Sequence, residues 1–215
     1  MRARRAWTNS WRRLLLPVSP DHPEPRKIRR AAEALAAGEV IAYPTDTIYG
    51  LGCDLMNKKA IDRLYAIKRM DRSHQLSFIC PDLSEIARYA IVENHHYRLL
   101  KHLLPGPYTC ILEATREVPK LVQSKKKTVG IRVPALGLTR DLARELGRPI
   151  LTTSANRPGE DPFIDARDID DAFPGLALVV DGDAGGTVPT TMLDLTKTPF
   201  EVVREGAGPV DELVG

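Results

Sequence analysis

Apolar residues recur at helical spacing in six segments of the chain. In the first, residues 25–38, Ile28, Ala32 and Leu35 fall on one face and Pro25 stands at the start. The same spacing predicts further helices over 58–69, 82–89, 94–103, 138–146 and 165–172. Each of these helices has an apolar face that must be buried against another element.

Short apolar runs between the helical segments predict strands. The first, "EVIAYP" at 39–44, follows the first helix directly. The others lie near 76–80, 108–114, 128–133, 149–153, 177–181, 190–196 and 200–204. Helices and strands alternate over the first two-thirds of the chain, and strands crowd the last third. This order predicts an α/β fold: one twisted, mixed, open β-sheet with flanking helices.

Composition fits a single domain in a reducing compartment. A chain of 215 residues with 43% hydrophobic residues is long enough to bury one α/β core. Cys53, Cys80 and Cys110 are odd in number and form no CxxC pair, which argues against a disulfide framework and a zinc site. No apolar run approaches the length of a membrane span. We therefore expect a cytoplasmic protein with no membrane partner.

The N-terminal segment differs in composition from the rest. Its first 20 residues contain five arginines, two tryptophans and no acidic residue. A transit peptide, a nucleic-acid-binding arm and a poorly ordered extension are three interpretations that stay open. We predict a basic, disordered extension over residues 1–17 and a single domain over 18–215.

The common nucleotide-binding loops are missing from the sequence. There is no GxxxxGK[ST], and 50–52 lacks the third glycine of GxGxxG. Polar clusters stand instead where predicted strands end, which is where α/β sheets usually bind ligands. These clusters are 45–47, 68–74, Arg132, 151–156, 190–191 and Arg204. They are the candidate binding groups.

Most of these clusters also have a structural interpretation. Thr45 and Asp46 are typical of a turn, and 154–156 suits a helix cap. Lys68 would interact favourably with the C-terminal end of a helix dipole. Arg132 is harder to explain in this way, because it interrupts an apolar strand. Its planar guanidinium can bind a carboxylate or phosphate through two charge-assisted hydrogen bonds.

Taken together, six segments resemble one family. They are "AYPTDTIYGLGCD", "IKR", "LLPGPYT", "TVGIRVP", "LTTSANRPGEDP" and "TTMLDLT…EVVREGAG", over about residues 18–208. Their order and spacing are similar to those of the YrdC/YciO family of threonylcarbamoyl-AMP synthases and relatives. The resemblance implies a YrdC-like open sheet with a basic concave groove, in which ATP and L-threonine bind side by side.

The family reaction is implied as well. An L-threonylcarbamoyladenylate synthase is a nucleotidyltransferase: L-threonine and bicarbonate form N-carboxythreonine, which attacks the α-phosphate of ATP and releases pyrophosphate. Downstream tRNA-modification proteins then transfer the threonylcarbamoyl group to an adenosine of tRNA. Mg²⁺ would enter with ATP, bridged by phosphates and water, so no dedicated protein metal site is expected.

The resemblance also implies roles for individual residues. Thr45, Thr153 and Arg132 would contact threonine, with Arg132 on its carboxylate. The catalytic residues would be Lys68, Ser154 and Asn156. The nucleotide would be bound by Lys68, Arg69, Thr109, Ser154, Asn156, Thr191 and Arg204, of which Thr109 has a structural alternative.

Two positions depart from the family pattern. In "KRMDRSHQL", Met70 stands where the arginine of K-x-R is expected, and His74 stands at the next basic position, usually lysine. Both changes remove phosphate-facing charge and resemble the YciO branch, although Arg69 or Arg72 could substitute in space. Three hypotheses stay open: a threonylcarbamoyl-AMP synthase, a YciO-like paralogue with a different or weak activity that binds nucleotide, and a protein that binds tRNA or double-stranded RNA.

Overall fold

A computed structural model describes residues 15–157 and 159–211 of the chain. The helices are α1 (Pro25–Ala36), α2 (Lys58–Lys68), α3 (Leu83–Tyr89), α4 (Asn94–Leu103), α5 (Gly137–Leu146) and α6 (Ala166–Ala172). The strands are β1 (Leu15–Pro17), β2 (Ile41–Tyr43), β3 (Gly50–Asp54), β4 (Ser77–Ile79), β5 (Tyr108–Glu113), β6 (Thr128–Arg132), β7 (Ile150–Ser154), β8 (Leu178–Asp181), β9 (Thr191–Asp194) and β10 (Glu201–Arg204). No helix in these ranges is long and apolar enough to cross a membrane.

All ten strands belong to one sheet, in the order β1-β8-β2-β3-β7-β4-β6-β5-β9-β10. Parallel pairs (β1 with β8, β2 with β8, β4 with β6, β5 with β9) mix with antiparallel ones (β2 with β3, β3 with β7, β4 with β7, β5 with β6, β9 with β10). The sheet ends in β1 on one side and β10 on the other. The predicted single α/β domain with a mixed open sheet is confirmed.

Helices cover both faces of the sheet. On one face, α1 and α5 pack against β2 and β8 through residues such as Leu35 and Leu142. On the other face, α2, α3, α4 and α6 bury residues such as Leu64, Leu100 and Ile169. Because full burial of one large apolar side chain contributes about 1.5–3 kcal/mol, both helical layers stabilise the central strands.

Local signals place the ends of α2, the helix next to the functional site. The side-chain oxygen of Asn57 caps its start by accepting a hydrogen bond from the Ala60 amide at 3.1 Å. Arg69 ends the helix in the left-handed conformation, with φ of 51°. The chain therefore turns sharply after Lys68, and the turn continues into β4.

The sequence patterns missed two strands. The strand β3 carries Gly50 and Gly52, and glycine is rare in strands, so the sequence pattern gave no strand prediction here. These glycines admit the Tyr43 ring: a Cβ on Gly52 would lie 2.7 Å from Tyr43 Cε1. The Tyr43 hydroxyl crosses β3 and donates to Thr152 Oγ1 at 2.6 Å. The missing side chains are thus what lets β3 sit between β2 and β7.

The other missed strand corrects the start of the domain. The strand β1 falls inside the predicted extension of residues 1–17, but it pairs in parallel with β8, with Leu15 opposite Val179. Leu16 is buried in the core. The sheet therefore begins at least three residues before the predicted boundary at 18. Residues 1–14 of the predicted extension lie outside the described residues.

Candidate functional site

A polar cleft opens at the middle of the sheet, between the loop that joins β2 to β3 and the strands β4 to β7 and β9. It encloses about 720 Å³, counting the part open to solvent. Its lining comprises Thr45, Thr47, Ile48, Tyr49, Gly50, His74, Gln75, Ser77, Ile79, Thr109, Arg132, Thr152, Thr153, Ser154, Pro189, Thr190, Met192 and Arg204. Hydroxyl groups from six threonines and two guanidinium groups dominate it, so the cleft suits a polar, anionic ligand.

The loop between β2 and β3 forms one wall and holds itself in place. Thr45 Oγ1 donates to the Ile48 carbonyl at 2.7 Å and accepts from the Thr47 amide at 3.2 Å. From α5, Thr139 Oγ1 donates to the Pro44 carbonyl at 2.7 Å. The turn interpretation of Thr45 is therefore correct, and the same residue also lines the cleft.

Arg132, at the end of β6, presents a buried cation to this cleft. Its Nη2 donates to Asp46 Oδ1 at 2.5 Å, and the residue is 6% exposed. Burial lowers the pKa of Arg132, while the adjacent Asp46 carboxylate opposes this shift. Arg132 Nε and Asp46 Oδ2 are buried without a hydrogen-bond partner within the described ranges. The predicted ligand residue thus lies at the expected place, already paired to a carboxylate.

In the opposite wall, Thr190 connects the start of β9 with β5 and β10 through hydrogen bonds. Thr190 and Thr109 share a hydrogen bond between their Oγ1 atoms at 2.8 Å. Arg204, on β10, donates to the Thr190 carbonyl from Nη2 at 2.9 Å and from Nε at 3.2 Å. Burial lowers the pKa of Arg204. Its guanidinium has only neutral oxygen partners among the described residues, so its charge is available to an anion in the cleft.

The structure brings the three predicted catalytic residues together at the end of β7. Lys68 Nζ donates to the carbonyl oxygens of Ser154, at 2.8 Å, and Asn156, and to Asn156 Oδ1 at 3.2 Å. Ser154 Oγ donates to the same Oδ1 at 2.5 Å. Burial lowers the pKa of Lys68 to about 8. Of the three, only Ser154 lines the cleft, because the Lys68 ammonium points at the backbone of the 154–156 segment.

The turn after α2 supplies little charge to the cleft. Met70 is partly buried, with its sulfur 4.0 Å from Thr153 Oγ1, so a thioether contacts the cleft wall where the family pattern has an arginine. Arg69 is exposed and does not line the cleft. Arg72 binds Asp62 and stacks on the Tyr65 ring, 4.4 Å from its centroid. Neither arginine is among the residues that line the cleft.

Thr191, a predicted nucleotide-binding residue, lies outside the cleft. It is fully buried, and its Oγ1 donates to the Gly208 carbonyl at 2.6 Å and accepts from the Gly206 amide at 2.9 Å. Its role is to attach the C-terminal segment to β9, and Thr190 lines the cleft instead. The candidate cluster 151–156 included Thr152, which also lines the cleft, but the sequence analysis gave this residue no individual role.

A second, wider cavity adjoins the cleft and shares His74 and Gln75 with it. It encloses about 1360 Å³, and Lys125 and Lys126 at its edge form no ion pair within the described residues. Across the same ranges, no group of three or more His, Cys, Asp or Glu side chains could hold a metal ion. Together, the two adjacent cavities give room for a ligand larger than an amino acid.

Comparisons with known proteins identify the family of this chain. Residues 33–206 match the family model Sua5_yciO_yrdC, described as "Telomere recombination". The chain is 41% identical to the uncharacterized protein YciO of Escherichia coli K12 over 196 residues, 90% of this chain and 95% of YciO. It is 33% identical to the threonylcarbamoyl-AMP synthase of Bos taurus over 187 residues, 83% of this chain and 67% of that enzyme.

Two solved structures have closely similar folds. The crystal structure of E. coli YciO superimposes with a TM-score of 0.88, covering 93% of this chain and 98% of YciO at 39% identity. P. abyssi Sua5, crystallised in complex with L-threonine, superimposes with a TM-score of 0.87, covering 93% of this chain and 59% of Sua5 at 28% identity. The fold of this chain is therefore shared with both branches.

Proposed function

The chain belongs to the Sua5/YciO/YrdC family, and we propose that it forms threonylcarbamoyl-AMP from ATP, L-threonine and bicarbonate. One observation carries this proposal: a buried arginine, Arg132, presented to a cleft lined by threonine hydroxyl groups. Relatives named threonylcarbamoyl-AMP synthase support the reaction class, and a similar structure holds L-threonine. The activity would make the chain an L-threonylcarbamoyladenylate synthase-like nucleotidyltransferase.

In this proposal the amino acid lies at the Arg132 end of the cleft. Its carboxylate accepts charge-assisted hydrogen bonds from the guanidinium, and Thr45 and Thr153 contact the rest of the molecule. The amine and bicarbonate condense to a carbamate with loss of water. A carbamate oxygen then attacks the α-phosphorus of ATP, and pyrophosphate leaves.

The nucleotide would occupy the remainder of the cleft and the adjoining cavity. Arg204 offers a guanidinium that has no carboxylate partner among the described residues, and Ser154 and Thr109 offer hydroxyl groups. Lys68 would act from behind the 154–156 segment, by holding its backbone and by its charge. Such a site catalyses through positioning and charge neutralisation, without a covalent nucleophile. Mg²⁺ would arrive with ATP as part of the substrate.

A second function is favoured by the contact between Met70 and Thr153. Because a thioether cannot pair with phosphate, the triphosphate would meet one cation fewer than in the family pattern. The alternative is a YciO-like paralogue that binds nucleotide but has a weak or different activity. The unpaired lysines of the second cavity, Lys125 and Lys126, would then serve contacts to tRNA or double-stranded RNA.

One assay separates these functions. The protein is incubated with ATP, L-threonine, bicarbonate and Mg²⁺, and both pyrophosphate and the threonylcarbamoyl adenylate are measured. Formation of both products, and loss of both without threonine or bicarbonate, would support the synthase. Threonine binding by calorimetry without any adduct would support the paralogue instead. Absence of both threonine and ATP binding would reject the proposed function.

A further inference from the structure

Asp46 lies behind the cleft wall, in contact with the arginine that faces the ligand. Its carboxylate binds Arg132, but Asp46 is not among the lining residues. Gly185 packs against the backbone of this loop: the Gly185 amide donates to the Thr45 carbonyl at 2.8 Å, and a Cβ on Gly185 would lie 1.9 Å from the backbone carbonyl oxygen of Asp46. The backbone of this loop is therefore fixed, and the Asp46 side chain, 13% exposed, is held next to Arg132.

The pair is electrically neutral, but its two ends face different ways. The positive end, Arg132, lines the cleft, and the negative end lies behind it. Within the described residues Asp46 has no second cationic partner, and Asp46 Oδ2 and Arg132 Nε are both unused. Because both atoms are buried, the pair acts on a ligand in the cleft through its electric field, which is positive at Arg132 and negative at Asp46.

This arrangement affects different ligands differently. A simple anion bound to Arg132 is attracted by the guanidinium, but it is repelled by the Asp46 carboxylate, which is hydrogen-bonded to the same guanidinium. Charges at this separation interact strongly in a buried, low-dielectric site. The zwitterion of an α-amino acid places its ammonium group two bonds from the carboxylate carbon, so Asp46 attracts it and offsets the repulsion.

We propose that Asp46 is a specificity-determining residue, which makes the cleft select a zwitterionic α-amino acid over a simple carboxylate or inorganic phosphate. The inference rests on the proposed function, because it requires the ligand carboxylate to lie on Arg132. It assigns Asp46 an electrostatic role across the wall of the cleft, separate from the residues that contact the ligand.

The test compares L-threonine with 3-hydroxybutyrate, which keeps the carboxylate and the hydroxyl group but lacks the amine. Affinities of the full-length protein for both, and for inorganic phosphate, are measured by calorimetry at pH 7. We expect the wild type to prefer threonine by about tenfold or more. In Asp46→Asn, 3-hydroxybutyrate and phosphate should bind more tightly than to the wild type, and the preference should fall towards one. If the substitution damaged the fold instead, the affinities for threonine and for 3-hydroxybutyrate would fall together.

Asp183→Asn is the matched control. It removes a carboxylate from the exposed loop near Asp46 that does not pair with Arg132, so the preference should stay as in the wild type. Equal wild-type affinity for the two ligands would overturn the inference, as would an unchanged preference in Asp46→Asn. If Asp46→Asn does not fold, the same measurements on Asp46→Ala, together with the wild-type preference for threonine over 3-hydroxybutyrate, test the inference. A wild type that binds no threonine would instead reject the proposed function.

Discussion

Arg132 and Lys68 are both buried cations beside the same cleft, but different groups hold them. Arg132 is paired with a carboxylate and faces the ligand space. Lys68 is bound by neutral oxygens of 154–156 and points away from that space. If the proposed function holds, a charge pair pre-organises the amino-acid end of the cleft, whereas the phosphate end depends on a lysine that has no carboxylate partner among the described residues.

Lys68→Ala should have the largest effect. It removes the donor shared by three oxygens of the 154–156 segment, so product formation should be abolished and the free energy of unfolding should fall by about 1–3 kcal/mol. Adenylate formation and thermal unfolding check the two effects. Lys59→Ala, an exposed lysine on the same helix, is the control and should change neither. Normal product formation by Lys68→Ala would remove Lys68 from the site.

Arg132→Lys should weaken threonine binding severely while the protein remains folded. Lysine keeps the positive charge beside Asp46 but loses the planar fork, which costs roughly 1.5–3 kcal/mol of binding, or about tenfold to 150-fold in affinity. Calorimetry with threonine measures this loss.

Arg148→Lys provides the comparison for Arg132→Lys. Arg148 binds both oxygens of Asp54, at 2.8 and 2.6 Å, away from the cleft. Its replacement should lower stability without changing threonine affinity. An Arg132→Lys protein with wild-type threonine affinity would show that Arg132 is structural.

Met70→Arg combined with His74→Lys should raise adenylate formation several-fold, since it restores two cations at the phosphate end. The rate of pyrophosphate release checks this. Adding Arg69→Met to the same background removes one of the two added charges at an exposed position outside the cleft, so the gain should persist if it depends on the position of the charges. An inactive wild type that the double replacement does not rescue would favour the paralogue.

A change of pH should have the smallest effect, and Lys68 sets its sign. Its folded pKa of about 8 lies below its ordinary value of 10.5, so its charge is present below pH 8 and is lost as pH rises through 8. ATP affinity should therefore fall between pH 7 and 9. The free energy of unfolding should rise from about pH 8 to 10.5, because the unfolded chain binds more protons there. Lys68→Arg should flatten both profiles.

Much of the fold was predictable from the sequence, and the exceptions have physical causes. Apolar periodicity identified all six helices and eight of the ten strands among the described residues. The strand β3 was missed because its glycines serve a contact with Tyr43, which no local pattern encodes. The strand β1 was missed because it has three residues and gains its stability from pairing with β8, far along the chain.

The candidate site was predictable where a residue conflicts with its surroundings. Arg132 is a charge in an apolar strand, and the structure indeed places it in the cleft. Its partner Asp46 is 86 positions away, and its polarity fits a turn equally well, so the pairing could not be read locally. Thr190 and Thr191 are chemically identical neighbours, and only the register of β9 decides which of them faces the ligand.

Arg204 belongs to the cleft but stands on β10, the outermost strand of the sheet, next to a register shift after Val202. Edge strands fray more readily than central ones, and amide hydrogen exchange reports such local opening. Fraying of β10 would carry the Arg204 guanidinium away from the ligand. We therefore expect the residence time of a ligand that contacts Arg204 to depend on the opening rate of this short strand, and a bound ligand should slow amide exchange in Glu201–Arg204 more than in the central strand β7.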